Sequence, residues 1–244
     1  MIEAVLVAFM VIGAVNFHVH LQLAEGRLRE ALGSVELRAM LALIAAATAF
    51  VAVDLAVNLH CSPLHALRLA AFQVASISTT TGYTSMNVNL LPPASKWLLI
   101  CLMVVGGSLC STAGGVKVAR AVVLVKLAKL EALRTILPRR AVARLKVGGR
   151  AVKEEDALRI SVFFFTYIAV AAVATLVLVH GGSSFTSALS AVFSAESGVG
   201  PAFIDLFKLD AASKLTLAAC MWMGRLELIP VLAMLTPFSW SEAF

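Results

Sequence analysis

Two turns of small and hydroxylated residues are the segments of this sequence best suited to binding a metal cation. They consist of Thr80, Thr81, Gly82 and Tyr83 in the first turn, and of Gly198, Val199 and Gly200 in the second. An extended segment of this kind can direct successive carbonyl oxygens at one axis, where they replace the hydration shell of a cation. Glycine is needed because a residue there must leave ordinary φ/ψ space for its carbonyl to turn inward. The two turns therefore predict ion-binding strands.

A short amphipathic segment precedes each turn and would position it. The segments run from Pro63 to Thr79 and from Ser184 to Ala195, so as helices each is about half as long as a bilayer core requires. The C-terminal end of such a half-helix is partially negative and stabilises a cation that has shed water. We therefore predict two pore helices. Re-entrant loops that serve only to pack are the alternative, although non-helical backbone at membrane depth usually lines a cavity.

The composition decides the fold class. The chain has 244 residues, of which 60% are hydrophobic and 14% charged, and its mean hydropathy is +0.93. Soluble domains carry about 25% charged residues, so the excess apolar surface must face lipid. The sequence predicts an all-α integral membrane protein with spans at residues 2–23, 39–59, 95–129, 158–180 and 211–235. The last span is expected to end at Thr236-Pro237.

The two halves of the chain repeat in register. Lys96 lies 14 residues after Gly82, and Lys214 lies 14 residues after Gly200. Another glycine lies 24 residues after each of these two turn glycines. The opening span begins 43 residues before Gly82 in the first half and 42 residues before Gly200 in the second. Agreement of three landmarks indicates an internal repeat of span, half-helix, glycine turn and span.

Basic residues concentrate between the two repeats. Ten of the twenty lie between Lys126 and Arg159, including Arg139 and Arg140, and a smaller cluster lies between Arg27 and Arg38. Such clustering is typical of cytoplasmic loops, although binding to anionic lipid or to a cytosolic partner also fits the larger cluster. We interpret the charge as a sign of topology and expect no nucleic-acid binding.

Three cysteines within apolar runs, Cys101, Cys110 and Cys220, are expected to be packing residues.

Several motifs carry a resemblance to a known family. The first turn resembles the T-V-G-Y-G filter of potassium channels, shortened to one glycine. The whole chain resembles the Trk/Ktr/HKT superfamily of potassium transporters, most closely the bacterial Trk-type membrane subunit. The matching strings are residues 78–83, 106–108, 111–117, 199–201 and 224–232. The chain departs from the family pattern near Ser197-Gly198, where Asn is usual, and at Ala202, where Gly is usual.

The resemblance implies that the chain holds the third and fourth of four span–pore–span units around one pore. Residues 1–38 are then the closing helix of the second unit and a cytoplasmic loop, and residues 39–129 are the third unit. Residues 130–157 are the basic cytoplasmic loop, and residues 158–244 are the fourth unit. Two filter strands cannot ring an ion, so the missing N-terminal pore units are expected as partners. The chain is expected to be a truncated form, a gene fragment or half of a split protein.

The resemblance also implies a gate beneath the filter. An intramembrane loop interrupts the inner helix of the third unit, and an arginine of the last helix projects toward the pore. The gate residues are Gly106, Gly107, Ser111, Thr112, Ala113, Gly114, Gly115 and Arg225. From the residues alone, a helix-packing face is the alternative for the small-residue stretch, and a structural pair of Glu227 with Arg225 is the alternative for the arginine. Glu196 fits either a cation-concentrating residue at the mouth or a buried carboxylate bonded to backbone amides.

The implied function is uptake of potassium across the bacterial cytoplasmic membrane, with K⁺ as the transported ion and no bound cofactor. A sodium or mixed sodium and potassium transporter is one alternative, and a non-conducting fragment or assembly module is another. The implied partners are membrane lipid, a cytosolic nucleotide-binding regulatory subunit and, for the complete protein, a second copy in a homodimer. The sequence contains no H-E-x-x-H, no G-x-S-x-G and no paired intramembrane aspartates, so an enzyme is not expected.

Overall fold

The computed structural model of the chain describes residues 2–136 and 144–235, which are mostly helical. The helices are α1 (Ile2–Ala14), α2 (Phe17–Ala24), α3 (Leu28–Gly33), α4 (Val35–Asn58), α5 (Pro63–Ser78), α6 (Pro93–Val105), α7 (Val118–Ile136), α8 (Glu154–His180), α9 (Phe185–Ser197), α10 (Ala211–Leu226) and α11 (Leu228–Leu235). Short 3₁₀ turns occur at Val88–Leu90 and Leu206–Lys208. A small antiparallel hairpin pairs β1 (Lys146–Val147) with β2 (Arg150–Ala151). The predicted all-α fold is confirmed.

Two of the predicted spans are continuous helices. Helices α4 and α8 are long and apolar enough to cross a membrane, and each begins four residues before its predicted start. The hydroxyl of Ser34 accepts a hydrogen bond from the Leu37 amide and so caps α4. The first turn of α8 contains three acidic residues, which the partially positive helix N-terminus stabilises. These polar first turns explain why the helices extend beyond their apolar stretches.

The other three predicted spans are broken. The predicted helix 2–23 consists of α1 and α2, whose axes differ by 102°, because Asn16 caps a new helix by accepting a bond from the His18 amide. The predicted span 95–129 is divided into α6 and α7 by residues 106–117, as the small residues there suggested. The predicted span 211–235 is divided at Glu227, whose φ of 65° is incompatible with a continuous helix.

The predicted loops are more ordered than the sequence suggested. The loop expected between Arg27 and Arg38 contains α3. The basic loop expected at residues 130–157 contains the end of α7, the hairpin and the start of α8. A pair of glycines with positive φ, Gly148 and Gly149, forms the hairpin turn. Arg139, Arg140 and the predicted stop at Thr236-Pro237 lie outside the described residues.

The two half-helices lie at the centre of the structure. Helix α5 packs against α1, α4 and α6, and α9 packs against α6, α8 and α10. Buried residues such as Ile77, Leu99, Tyr167 and Val192 join both halves in one apolar core. Lipid is as apolar as these side chains, so close packing and hydrogen bonds rather than exclusion from water must hold such helices together.

Polar contacts and cysteines complete the packing. Asp54 on α4 accepts a hydrogen bond of 3.0 Å from the Ser95 amide and another from the Ser95 hydroxyl, which caps the start of α6. Cys220 is buried, which agrees with its expected packing role. Cys101 and Cys110 are exposed, so the same expectation was wrong for them: the apolar stretch that holds Cys110 is a loop, not a helix.

Candidate functional site

The first predicted filter turn folds back onto the C-terminal end of α5. The amides of Thr81 and Gly82 both donate to the Ser76 carbonyl, at 2.9 and 3.3 Å, and the Ser76 hydroxyl donates to the Tyr83 carbonyl at 2.6 Å. Thr80 and Gly82 have φ values of 53° and 82°. The turn is therefore fixed by one serine of the half-helix, and its glycine adopts the left-handed conformation that the sequence predicted.

The second turn is held in the same way by α9. The Val199 amide donates to the Ser194 carbonyl at 2.9 Å, and the Gly200 amide donates to the Ser194 hydroxyl at 3.0 Å. Gly198 and Gly200 have φ values of 68° and 108°. Ser194 thus occupies in α9 the place that Ser76 occupies in α5.

These correspondences extend the sequence repeat to individual hydrogen bonds. Every pair is separated by 118 positions, as Gly82 and Gly200 are. The ammonium of Lys96 donates to the carbonyl seven residues earlier at 2.7 Å, and Lys214 does the same at 3.2 Å. Asn87 precedes the first 3₁₀ turn and Asp205 precedes the second. The side-chain oxygen of each accepts a hydrogen bond from the backbone amide two residues later. The two units therefore share one backbone design.

The two turns lie in direct backbone contact. A methyl group at Gly82 would lie 2.1 Å from the Val199 carbonyl oxygen and 3.2 Å from Pro201. A Cβ atom cannot approach so closely, so glycine at position 82 is required by space as well as by φ. The structure therefore brings the two predicted ion-binding strands into contact at Gly82 and Val199.

The segment between α6 and α7 lies against the first turn and against the C-terminal end of α9. The Gly114 amide donates a hydrogen bond of 2.9 Å to the Thr80 hydroxyl, and a methyl group at Gly114 would lie 1.9 Å from the Ser197 carbonyl oxygen. We refer to residues 106–117 as the intramembrane loop. Gly114 thus contacts the first residue of the first turn and the last residue of α9, which directly precedes the second turn.

Small residues let the intramembrane loop fold back on itself. A methyl group at Gly106 would lie 2.0 Å from the Gly114 carbonyl oxygen. The Val116 amide donates to the Val104 carbonyl and the Val118 amide to the Gly107 carbonyl, both at 2.9 Å. Helix α7 therefore resumes next to the point at which α6 ends. The predicted helix interruption is a compact hairpin-like loop.

A cavity of about 280 Å³ lies beside the intramembrane loop. Its charged lining consists of Lys117, Arg120, Glu196, Arg225 and Glu227, and its loop residues are Ser111, Thr112, Ala113, Gly114 and Gly115. The predicted gate residues Gly106 and Gly107 are buried and do not line it. Six of the eight predicted gate residues therefore surround one space.

The suggested pairing of Arg225 with Glu227 was wrong. Glu227 accepts an ion-pair hydrogen bond of 3.1 Å from Arg120 on α7, whose guanidinium also lies 4.3 Å from the centre of the Phe163 ring. Arg225 is exposed to the cavity and forms no ion pair with any residue of segments 2–136 and 144–235. Glu227 lies at a helix break, with a φ of 65°, and its carboxylate pairs with Arg120 instead.

Of the two environments suggested for Glu196, the open mouth was wrong, and the buried carboxylate was right in its burial but wrong in its bonds to backbone amides. The side chain is only 1% exposed, so it does not lie at an open mouth. Its two carboxylate oxygens have no hydrogen-bond partner in the described part of the chain, so it does not cap backbone amides. Its own carbonyl oxygen faces Gly224, where a methyl group would lie 1.9 Å away. Glu196 is a buried side chain behind the second turn.

Two contacts at the candidate site were missed by sequence reasoning. Glu36, in the first turn of α4, accepts a hydrogen bond of 2.5 Å from the Leu109 amide of the intramembrane loop. Tyr167 on α8 forms a hydroxyl–hydroxyl hydrogen bond of 2.7 Å with Ser197. Glu36 follows a capping serine and has the sequence context of an ordinary helix start. The second contact had one signal in the sequence. Tyr167 lies inside an apolar span, and a buried phenol hydroxyl needs a hydrogen-bond partner.

Comparison with known proteins gives consistent matches along the chain. The TrkH family model, described as a cation transport protein, matches residues 1–241. The Trk system potassium uptake protein TrkH of Salmonella typhimurium is 31% identical over 250 residues, covering 99% of this chain and 51% of the relative. An uncharacterized cation transporter of Methanocaldococcus jannaschii is 30% identical and is covered over 47% of its length.

The fold has a counterpart among solved structures. The crystal structure of the potassium transporter TrkH from Vibrio parahaemolyticus superposes with a TM-score of 0.86 at 32% sequence identity. The superposition covers 98% of this chain and 53% of that chain. The chain therefore spans about half the length of the relatives that it matches.

Proposed function

The chain belongs to the TrkH family of cation transport proteins, and from this premise we propose that it supplies half of a potassium-uptake pathway in a bacterial cytoplasmic membrane. The relatives from Salmonella and Vibrio are named for potassium. The observation that carries the proposal is the backbone contact between Gly82 and the Val199 carbonyl. Two glycine turns in contact at the ends of two half-helices provide the carbonyl surface that a dehydrated cation requires.

The proposed filter consists of the seven turn residues. Carbonyl oxygens of Thr80, Thr81, Gly82 and Tyr83 form one strand, and those of Gly198, Val199 and Gly200 form the other. The partially negative ends of α5 and α9 add a favourable potential for K⁺. Because two strands enclose only part of an ion, the remaining ligands come from two further pore units in the N-terminal half of a complete transporter. K⁺ is the cargo, and no cofactor takes part.

The proposed gate is the intramembrane loop with Arg225. Gly114 contacts Thr80 in the first turn and Ser197 directly before the second, which supports a position of the loop next to the proposed filter. Lys117 and Arg225 line the adjoining cavity, while the charge of Arg120 is balanced by Glu227. An unbalanced positive charge below a cation filter opposes cation passage. In this state the pathway is closed, and displacement of the loop opens it.

The proposed partners are those that the family resemblance implies. Lipid contacts the exposed apolar faces of the spans. The basic segment near the hairpin lies on the cytoplasmic side by the distribution of positive charge, where it contacts a cytosolic nucleotide-binding regulatory subunit. The complete protein forms a homodimer. The test below separates potassium uptake from sodium or mixed conduction and from a non-conducting fragment or assembly module.

Growth at low potassium tests the proposal. A bacterium that lacks potassium uptake receives the chain alone, the chain joined to the N-terminal half of the Salmonella relative, or the joined protein carrying Gly82→Asp. Gly149→Asp is the matched control, because Gly149 has nearly the same φ of 80° but open surroundings in the hairpin. We expect growth with the joined protein and the control, and none with Gly82→Asp.

Each of the other outcomes would identify one of the alternative functions. Growth with the chain alone implies that two copies assemble into one pore. Sodium influx without growth by the joined protein identifies a sodium pathway. Absence of growth and of ion flux, with the joined protein present in the membrane, identifies a non-conducting fragment or assembly module.

A further inference from the structure

The first half of the intramembrane loop is hydrogen-bonded to the corner between α1 and α2. The Ser108 amide donates to the Ala14 carbonyl at 3.1 Å, and the Phe17 amide donates to the Cys110 carbonyl at 3.2 Å. The Thr112 hydroxyl donates to the Gly13 carbonyl at 3.0 Å. Bonds therefore run in both directions between the loop and the corner. Nothing in the gate residues themselves indicated this attachment.

The carboxylate of Glu36 reinforces the attachment. One oxygen accepts from the Leu109 amide at 2.5 Å, and the other accepts from the Asn16 side-chain amide at 3.3 Å. Asn16 in turn caps α2 through the His18 amide at 2.9 Å. A half-buried carboxylate that accepts two such bonds contributes more than a neutral acceptor does. Glu36 thus connects α4, the corner and the loop.

Side-chain packing also attaches the intramembrane loop to the corner. A methyl group at Gly107 would lie 3.2 Å from the Ala14 side chain and 2.6 Å from that of Ala113. Ala14, Met40 and Ala113 belong to a small apolar cluster that is separate from the main core. The loop therefore fits the corner by shape as well as by hydrogen bonds.

The corner is attached to the frame around the first pore helix. Glu3 near the start of α1 forms a bidentate ion pair with Arg68 of α5, with distances of 2.5 and 3.0 Å. Helices α1 and α4 both pack against α5. A loop that leaves the space below the filter cannot take this frame with it, so the bonds to the corner must break.

We propose that the corner is a closed-state latch for the intramembrane loop, with Glu36 as its positioning residue. The latch consists of residues 13–17, residues 107–112 and the Glu36 side chain. This inference rests on the proposed gate. Glu36 touches no predicted filter residue among its hydrogen bonds, so it acts on the equilibrium between closed and open states and leaves ion selectivity unchanged.

A disulfide across the latch provides the test. A hydrogen bond of 3.2 Å joins the Phe17 amide to the Cys110 carbonyl. Because a disulfide requires α-carbons only about 4.4–6.8 Å apart, these directly bonded positions are the ones to cross-link. Phe17→Cys therefore pairs with the native Cys110, in a protein whose other cysteines are replaced. The protein is the chain joined to the N-terminal half of the Salmonella relative, reconstituted in vesicles. Phe17→Ser in the same background is the matched control.

We expect the disulfide to form readily in the resting protein and to abolish potassium flux, with recovery on reduction. Conduction by the oxidised protein as fast as by the reduced protein would overturn the latch, because the loop would then open without leaving the corner. Failure of the disulfide to form would overturn it as well, because the contact itself would be absent.

Glu36→Ala supplies a second readout that does not need conduction. It removes both carboxylate hydrogen bonds, so we expect the disulfide to form about tenfold more slowly and the resting flux to rise by about as much. The ratio of potassium to sodium flux stays unchanged. Glu30→Ala, which removes an exposed carboxylate paired with Arg27, is the control. An unchanged rate of disulfide formation in Glu36→Ala would refute the latch. Absence of flux in every variant, with the rates as expected, would refute the proposed function alone.

Discussion

The hydrogen bond of 2.9 Å from the Gly114 amide to the Thr80 hydroxyl joins the intramembrane loop to the first filter turn. Thr80 is also the residue at which the turn leaves α5, with a φ of 53°. A threonine in this position therefore has two tasks: its backbone redirects the chain, and its side chain holds the loop in place. The proposed gate and filter are in this way directly coupled.

Substitution of Thr80 tests this coupling. Thr80→Val keeps the shape of the side chain but removes the acceptor, so the half-buried Gly114 amide loses its partner. We expect a loss of about 1–3 kcal/mol of unfolding free energy and an increased potassium leak in vesicles. Thr80→Ser retains the hydroxyl and is the matched control. A leak of equal size in both variants would show that the hydrogen bond does not hold the loop.

Gly114 is expected to be intolerant of a side chain for steric reasons alone. Its φ is not in the left-handed region, but a methyl group would lie 1.9 Å from the Ser197 carbonyl oxygen. Gly114→Ala must therefore separate the loop from the C-terminal end of α9, directly before the second turn. We expect a loss of about 1–3 kcal/mol and a raised resting potassium flux.

The control for this substitution is Gly33→Ala. Gly33 also has an ordinary φ, and no atom lies within 4 Å of an added methyl group. Thermal unfolding and flux are measured for both variants. Equal effects at the two positions would contradict the close contact between the loop and the C-terminal end of α9.

The two turn glycines should differ in sensitivity, although both have positive φ. At Gly200 an alanine meets no described atom within 4 Å, so only backbone strain of about 1–3 kcal/mol opposes it. At Gly82 the same strain is joined by a clash at 2.1 Å with the Val199 carbonyl oxygen. We expect Gly82→Ala to lower the unfolding midpoint further than Gly200→Ala, and Gly149→Ala in the hairpin to resemble Gly200→Ala. A smaller effect at Gly82 would contradict the contact between the turns.

Local signals explain what the sequence could predict. Pro63 begins α5 and Ser184 caps α9, so both half-helices had recognisable starts. The glycines at 82 and 200 identified the turns because left-handed backbone strongly favours glycine. The small residues from Gly106 to Gly115 indicated the helix interruption. In each case the information lay within a few residues of the feature.

Features that depend on distant partners were not predictable from the sequence. The break between α1 and α2 has neither glycine nor proline at its centre, and Asn16 is held by Glu36, 20 residues away. The break at Glu227 places a glutamate at positive φ, next to a pair with Arg120 that spans 107 residues. The hairpin was missed for another reason: its Gly148-Gly149 turn signal lies within a strongly charged segment that suggested an irregular loop.

Acid should destabilise the start of α10 through Asp210. Donors near the carboxylate, namely the Ser213 hydroxyl and the first backbone amides of α10, hold the pKa of Asp210 below its ordinary value. A lowered pKa in the folded state stabilises the protein above the pKa of the unfolded chain, about 3.9 for aspartate, and this stabilisation is lost as the pH falls. We therefore expect the unfolding midpoint in detergent to fall less on acidification in Asp210→Asn than in the parent protein. Ser213→Ala, which removes the first of these donors, should give an intermediate response, and identical acid responses in all three proteins would exclude a contribution from Asp210.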